Sequence, residues 1–106
     1  MAFVYCTVLT KVDLGNCKQF SGTRQFAECK KLTTLILRGN TVCSAVYPVN
    51  NNDDGALCNT PIVGNETGGN VYVPRALVDE YKNATNWAVI ANRIRAIEDY
   101  PEITGG

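Results

Sequence analysis

Apolar and polar positions follow the same order in two stretches near the start of the chain. Phe, Cys and Leu, followed by two further apolar residues, recur there with unchanged spacing. The five matched pairs, each 23 residues apart, are Phe3 and Phe26, Cys6 and Cys29, Leu9 and Leu32, Val12 and Leu35, and Leu14 and Leu37. A constant offset in the twenties predicts structural repeats that stack on one another.

The apolar spacing within each copy predicts its local structure. Val12 and Leu14 alternate with polar neighbours, as in a short strand with one buried face, and Leu35 and Leu37 continue this pattern in the second copy. Each copy fits L-x-x-L-x-L-x-x-N/C, which is typical of leucine-rich repeats. The matching residues are Leu9, Val12, Leu14 and Cys17, and then Leu32, Leu35, Leu37 and Asn40.

The middle of the chain, residues 41–70, is rich in turn-forming Asn, Asp and Gly. Within it, residues 56–62 match a degenerate third copy, with Leu57 in the position of Phe26. Residues 71–73 have the composition of a third short strand, and the proline that follows ends it.

After that proline the apolar period becomes helical. Leu77, Val78 and Tyr81 share one face of a first helix, and Thr85 or Asn86 can cap a second. The second helix is predicted to present Trp87, Ile90, Ala91, Ile94 and Ile97 on one face, with Trp87 as a core anchor. Two amphipathic helices here predict a cap over the open end of the repeats.

The predicted fold is therefore an α/β repeat solenoid. It consists of a short leucine-rich-repeat coil of two to three parallel strands with a two-helix C-terminal cap. Residues 1–74 are assigned to the repeats, the last of them degenerate, and residues 75–106 to the cap.

Composition narrows the classes of function. The 106 residues carry ten basic and ten acidic side chains, with no run of either sign, which argues against a nucleic-acid or anionic-membrane surface. No stretch approaches the roughly 20 apolar residues that span a bilayer. The N-terminus lacks the segments of a secretory signal peptide and enters the repeat directly, which indicates a C-terminal piece of a longer repeat protein or an open reading frame cut at its start.

The candidate chemistry is sparse. The chain has no histidine and no recognisable nucleophile or nucleotide motif, so the prediction is that it is not an enzyme and needs no cofactor. Its five cysteines lack a C-x-x-C pair, so no metal site is predicted. Cys6 and Cys29 hold equivalent repeat positions, and we expect them to stack within disulfide reach yet remain reduced. The alternating Asn and Asp residues at 50–54 lack the later Glu of a calcium loop, which favours a polar loop.

The pattern Phe-x-x-Cys-x-x-Leu-x-x-Leu-x-Leu at period 23 resembles the BspA-like family of bacterial leucine-rich repeats. Several later segments look like the closing part of such repeats in gut Firmicutes and their phages, and they cover most of the chain. These segments are 35–43, 59–62, 71–82, 84–87 and 93–100. The resemblance implies a binding or structural role in a phage tail or virion protein. A bacterial cell-surface adhesin, or a binding appendage of a larger enzyme, is the alternative.

Side chains that alternate with the buried leucines are predicted to form an exposed strand face, which commonly binds partners in repeat proteins. They are Lys11, Asp13, Thr34, Ile36 and Tyr72. Ile36 is the most informative of them, because an exposed β-branched residue among polar ones suggests a contact. The expected partner is a protein or a cell-surface glycan. The chain is expected to be located in a virion or at the cell surface.

Overall fold

The computed structural model describes residues 6–20, 24–64 and 68–105. Phe3, one member of the repeat pattern, lies outside the described residues. The described chain contains six strands, which are β1 (Lys11–Asp13), β2 (Gln19–Phe20), β3 (Thr34–Ile36), β4 (Ser44–Ala45), β5 (Asn70–Val73) and β6 (Ile94–Ala96). Four of them form one parallel sheet in the order β1-β3-β5-β6, while β2 and β4 form a separate parallel pair.

The register of the sheet reproduces the apolar spacing of the sequence. Val12 pairs with Leu35, Leu35 with Val71, and Val71 with Ile94. The offset is 23 residues between the first two (35 − 12) and again between the last two (94 − 71), with 36 between β3 and β5 (71 − 35). The prediction that the two apolar copies lie on neighbouring parallel strands is confirmed, and so is the third strand at 71–73.

Backbone hydrogen bonds outside the strands repeat as well. Leu9 N–H donates to Cys6 O at 3.2 Å, and Leu32 N–H donates to Cys29 O at 3.1 Å, so the same turn closes both copies.

The segment around Phe26 lies beside the degenerate third copy. Phe26 N–H donates to Ala56 O at 2.8 Å and Glu28 N–H to Cys58 O at 3.0 Å. Glu28 and Asn59 both adopt left-handed backbone, with φ of 64° and 58°. The two segments therefore follow similar paths, although Leu57 replaces an aromatic ring.

The C-terminal part departs from the predicted second helix. It holds α1 (Val78–Asn83) and α2 (Pro101–Thr104), with 3-10 turns at Arg75–Leu77, Ala88–Arg93 and Ile97–Asp99. A single helix through Trp87 and Ile97 is wrong, because the backbone turns at Ile90 (φ −124°, ψ 33°) and then extends as β6. Strand pairing with β5 satisfies backbone groups that would otherwise form an open sheet edge.

The main core lies between one face of the sheet and the segment that follows β5. Leu35, Val71 and Ile94 face it from the sheet, and Tyr81 and Trp87 fill it from the other side. The Trp87 side chain is 0 % exposed, which confirms its prediction as a core anchor. Within the described part of the chain, no helix is long and apolar enough to cross a membrane.

Candidate binding face

The five residues predicted to bind a partner lie in two adjacent rows across the sheet. Lys11 pairs with Thr34 in one row, and Asp13, Ile36 and Tyr72 align in the other. Lys11 and Asp13 are exposed on the outer strand β1, and Thr34 is half-buried. These five residues form the strand face.

The strand face is covered at its centre, contrary to the sequence-based expectation. Ile36 is 0 % exposed and Tyr72 is 3 % exposed, because the last segment of the chain folds over them. Ile97, Tyr100 and Ile103 supply the apolar cover. The expectation that Ile36 and Tyr72 are exposed is therefore wrong, since the chain leaves β6 at Ala96 and returns across the sheet.

The covering segment, residues 97–104, is also held by polar contacts. Lys11 Nζ donates to the backbone carbonyl of Ile103, and Arg38 Nη2 donates to that of Thr104. Arg38 Nε in turn donates to Asp13 Oδ2 at 2.8 Å. Two cations thus bind main-chain carbonyl oxygens at the rim of an apolar centre.

The electrostatics of Asp13 follow from these contacts. Partial burial acts to raise the pKa of its carboxyl group. The hydrogen bonds from Arg38 and from Gly15 N–H, together with the positive charges of Arg38 and Lys11, outweigh that effect and lower the pKa below its ordinary value of 3.8. Asp13 is therefore ionised at neutral pH and fixes the guanidinium that binds the covering segment.

Chemically, the strand face combines an apolar centre with a cationic donor at its rim. Its apolar centre accepts branched and aromatic side chains, and the ring of Tyr100 meets that of Tyr72 edge-on with centroids 5.1 Å apart. Lys11 and the neighbouring Arg38 supply donors for carbonyl oxygens. Both donors are bound to carbonyl oxygens of the covering segment. Arg38 lies beside this face, and no sequence signal marked it, because it lies beyond the end of β3 at Ile36.

A groove of about 440 Å³ runs along β6 and reaches Asp99 and Tyr100 of the covering segment. It is lined by residues from three stretches of the chain, which are Arg75, Val78, Asp79, Lys82, Ile94, Arg95, Ala96, Asp99 and Tyr100. Arg75 pairs with Asp99 on the rim, and Arg95 Nη1 donates to Asn92 O at 2.8 Å. No sequence signal marked this groove, because its charges are separated along the chain and converge only when β6 pairs with β5.

The structure also bears on the other candidate chemistry. Over residues 6–20, 24–64 and 68–105, no three His, Cys, Asp or Glu side chains lie close enough to hold a metal ion. In the polar loop near residue 50, Asn51 Oδ1 accepts hydrogen bonds from the backbone N–H groups of Asp53 and Asp54 at 2.8 and 2.9 Å. That side chain is therefore used by the turn itself.

Comparison of the chain with protein-family models, with characterised proteins and with solved structures finds no match.

Proposed function

We propose that this chain is a non-catalytic protein-interaction module built as a short leucine-rich-repeat solenoid. The observation that carries the proposal is the parallel register in which Val12 lies beside Leu35 and Val71 beside Ile94, each pair 23 residues apart. Stacked repeats commonly present their strands as an extended binding surface.

The proposed setting is a phage tail or virion protein, in which the module serves attachment or assembly. This rests on the resemblance of the sequence to closing segments of BspA-like repeats. A fragment of a bacterial surface adhesin, or a binding appendage of a larger enzyme, is the alternative. Neighbouring capsid, portal and tail genes would favour the first setting, and a wall anchor on the parent reading frame the second.

The proposed binding surface is the strand face, and the proposed ligand is a short apolar segment of a partner protein. The support is the way Ile36 and Tyr72 already hold Tyr100 and Ile103, with Lys11 bound to a main-chain carbonyl. A cell-surface glycan is the alternative ligand. In either case the covering segment must move before a partner reaches the centre of the face.

A binding assay on intact gut bacterial surfaces tests this proposal. Ile103→Ser weakens the covering segment and leaves every residue of the sheet unaltered, so it should increase binding relative to the unaltered chain. Adding Lys11→Glu and Ile36→Ser should abolish the increase. Val89→Ser is the matched control, because Val89 is 49 % exposed and belongs to neither surface.

The outcome also locates the surface if the proposal fails. If Ile103→Ser and the added substitutions leave binding unchanged, the strand face is excluded as the binding surface. The loops at 41–70 would then be favoured. The groove along β6 is a second candidate, because an extended peptide can add to a strand that lines a groove. Lys82→Glu, which changes an exposed charge on the groove wall, should reduce binding there and leave the strand face unaffected.

A further inference from the structure

Two cysteines that are 26 positions apart in sequence meet beside the small parallel sheet. Cys17 lies just before β2 and Cys43 just before β4, and these strands align Gln19 with Ser44. The two Sγ atoms are 3.0 Å apart, with the Cys43 thiol donating to Cys17. All five cysteines of the chain are in the thiol form.

The two thiols differ in access. Cys43 is buried, and its backbone is fixed on both sides: its N–H donates to Tyr81 Oη and its carbonyl accepts from Trp87 Nε1, both at 2.7 Å. Cys17 is half-buried, and its thiol lies 3.6 Å from Gln19 O. A small reagent therefore reaches Cys17 first, with Cys43 held directly behind it.

We propose that Cys17 and Cys43 are a reversible disulfide pair, oxidised by a low-molecular-weight disulfide such as oxidised glutathione. The Cys17 thiolate attacks one sulfur of the reagent, forming a mixed disulfide and releasing one glutathione thiolate. Cys43 then loses its proton and attacks the Cys17 sulfur. The Cys17–Cys43 bond forms, and the second glutathione leaves as a thiolate. Two protein thiols are oxidised and one small disulfide is reduced to two thiols.

The backbone geometry suits this bond. Adjacent strands lie about 4.8 Å apart, and one residue of offset along the strand adds about 3.3 Å, so ideal strand geometry extended to Cys17 and Cys43 gives a Cα separation of about 6 Å. Native disulfides span roughly 4.4–6.8 Å between Cα atoms. The sulfurs need to approach by only about 1 Å to reach the bond length of ~2.05 Å.

The bond would tie together the two strands of the smaller sheet. A cross-link between positions 17 and 43 restricts the unfolded chain more than the folded one, so oxidation should raise the melting temperature. Burial raises the pKa of the Cys43 thiol, so the second step should be slow at neutral pH and faster in alkaline solution.

Intact-mass spectrometry of the full chain after incubation with oxidised glutathione tests the proposal. We expect a loss of two hydrogen atoms, a peptide map that joins positions 17 and 43, a higher melting temperature, and reversal by a thiol reductant. Cys58→Ser is the matched control, because Cys58 is buried elsewhere beside Arg24, and this variant should still form the bond. Cys17→Ser should form none.

Three results would overturn the proposal. One is a stable glutathione adduct on Cys17 with no internal bond, in a protein that keeps its native near-ultraviolet spectrum. The others are a bond that joins a different pair of cysteines, and no reaction at all over a range of alkaline pH. Each is read from the unaltered chain, so the result does not depend on whether a cysteine variant folds.

Discussion

The ring of Tyr100 packs edge-on against that of Tyr72, with ring centroids 5.1 Å apart. This contact places the last turn of the chain on the face of the sheet that the sequence presents as open. The same face contacts that segment through apolar side chains, and Lys11 and Arg38 donate to main-chain carbonyl oxygens of the segment.

The covering segment should be the least stable part of the described C-terminal region. Tyr100→Ala removes an aromatic pair worth about 0.5–1.5 kcal/mol beyond the area it buries, so residues 97–104 should open while the sheet stays folded. Hydrogen exchange should show faster exchange of the amides in that segment and unchanged exchange at Leu35 and Val71. Equal acceleration across the sheet would mean that the segment is an integral part of the core.

Replacing the core anchor Trp87 should lower the free energy of unfolding by more than replacing Tyr100. Trp87→Ala should cost about 3–5 kcal/mol in the free energy of unfolding, since it empties a core position and leaves Cys43 O without its indole donor. Chemical denaturation measures the change, and Val89→Ala, at an exposed neighbouring position, should stay within about 0.5 kcal/mol. A change below about 1 kcal/mol for Trp87→Ala would contradict the packing described here.

Acid should weaken the Asp13–Arg38 pair. The folded pKa of Asp13 lies below its ordinary value of 3.8, so its contribution is present above that value and is lost as pH falls through the folded pKa. Asp13→Asn should therefore lower the free energy of unfolding at neutral pH, by less than about 1 kcal/mol because the pair is partly exposed. Denaturation of both proteins as a function of pH should show the difference vanishing in acid. If the stability difference between the two proteins persists in acid, it does not arise from the charge of Asp13.

Cys6 and Cys29 are expected to remain reduced in freshly prepared protein. Burial raises the pKa of the Cys29 thiol, which lowers the thiolate fraction needed for oxidation. Non-reducing mass spectrometry should detect no bond between them. Such a bond in fresh material would contradict this prediction. It would not bear on the separate proposal for Cys17 and Cys43.

The sheet was largely predictable from sequence, because Val12 and Leu35 occupy equivalent places in two copies of one apolar pattern. The fourth strand was not, because the spacing of Ile90, Ile94 and Ile97 suits a helix face as well as a turn followed by a strand. Backbone pairing with β5, which sequence periodicity does not record, decides between the two.

The alternation of polar and apolar residues along the strands locates the strand face, but it does not predict the segment that covers it. Ile36 is the one apolar residue of the set on β1 and β3, which suggested a contact, and the structure places that contact within the same chain. The helical spacing places Ile97 on the face of a predicted helix with Trp87, and it predicts no contact for Tyr100 or Ile103. Their convergence on Ile36 depends on the turn after β6, for which no local signal was identified.

The most direct test is a nuclear magnetic resonance titration of the chain carrying Ile103→Ser with a synthetic peptide of residues 97–105 in its natural sequence. The peptide should saturate one site and shift the resonances of Ile36, Tyr72 and Arg38, and a peptide with Tyr100→Ala should bind more weakly. Shifts confined to the groove along β6, or no saturable shift at all, would contradict the claim that the strand face binds peptide segments.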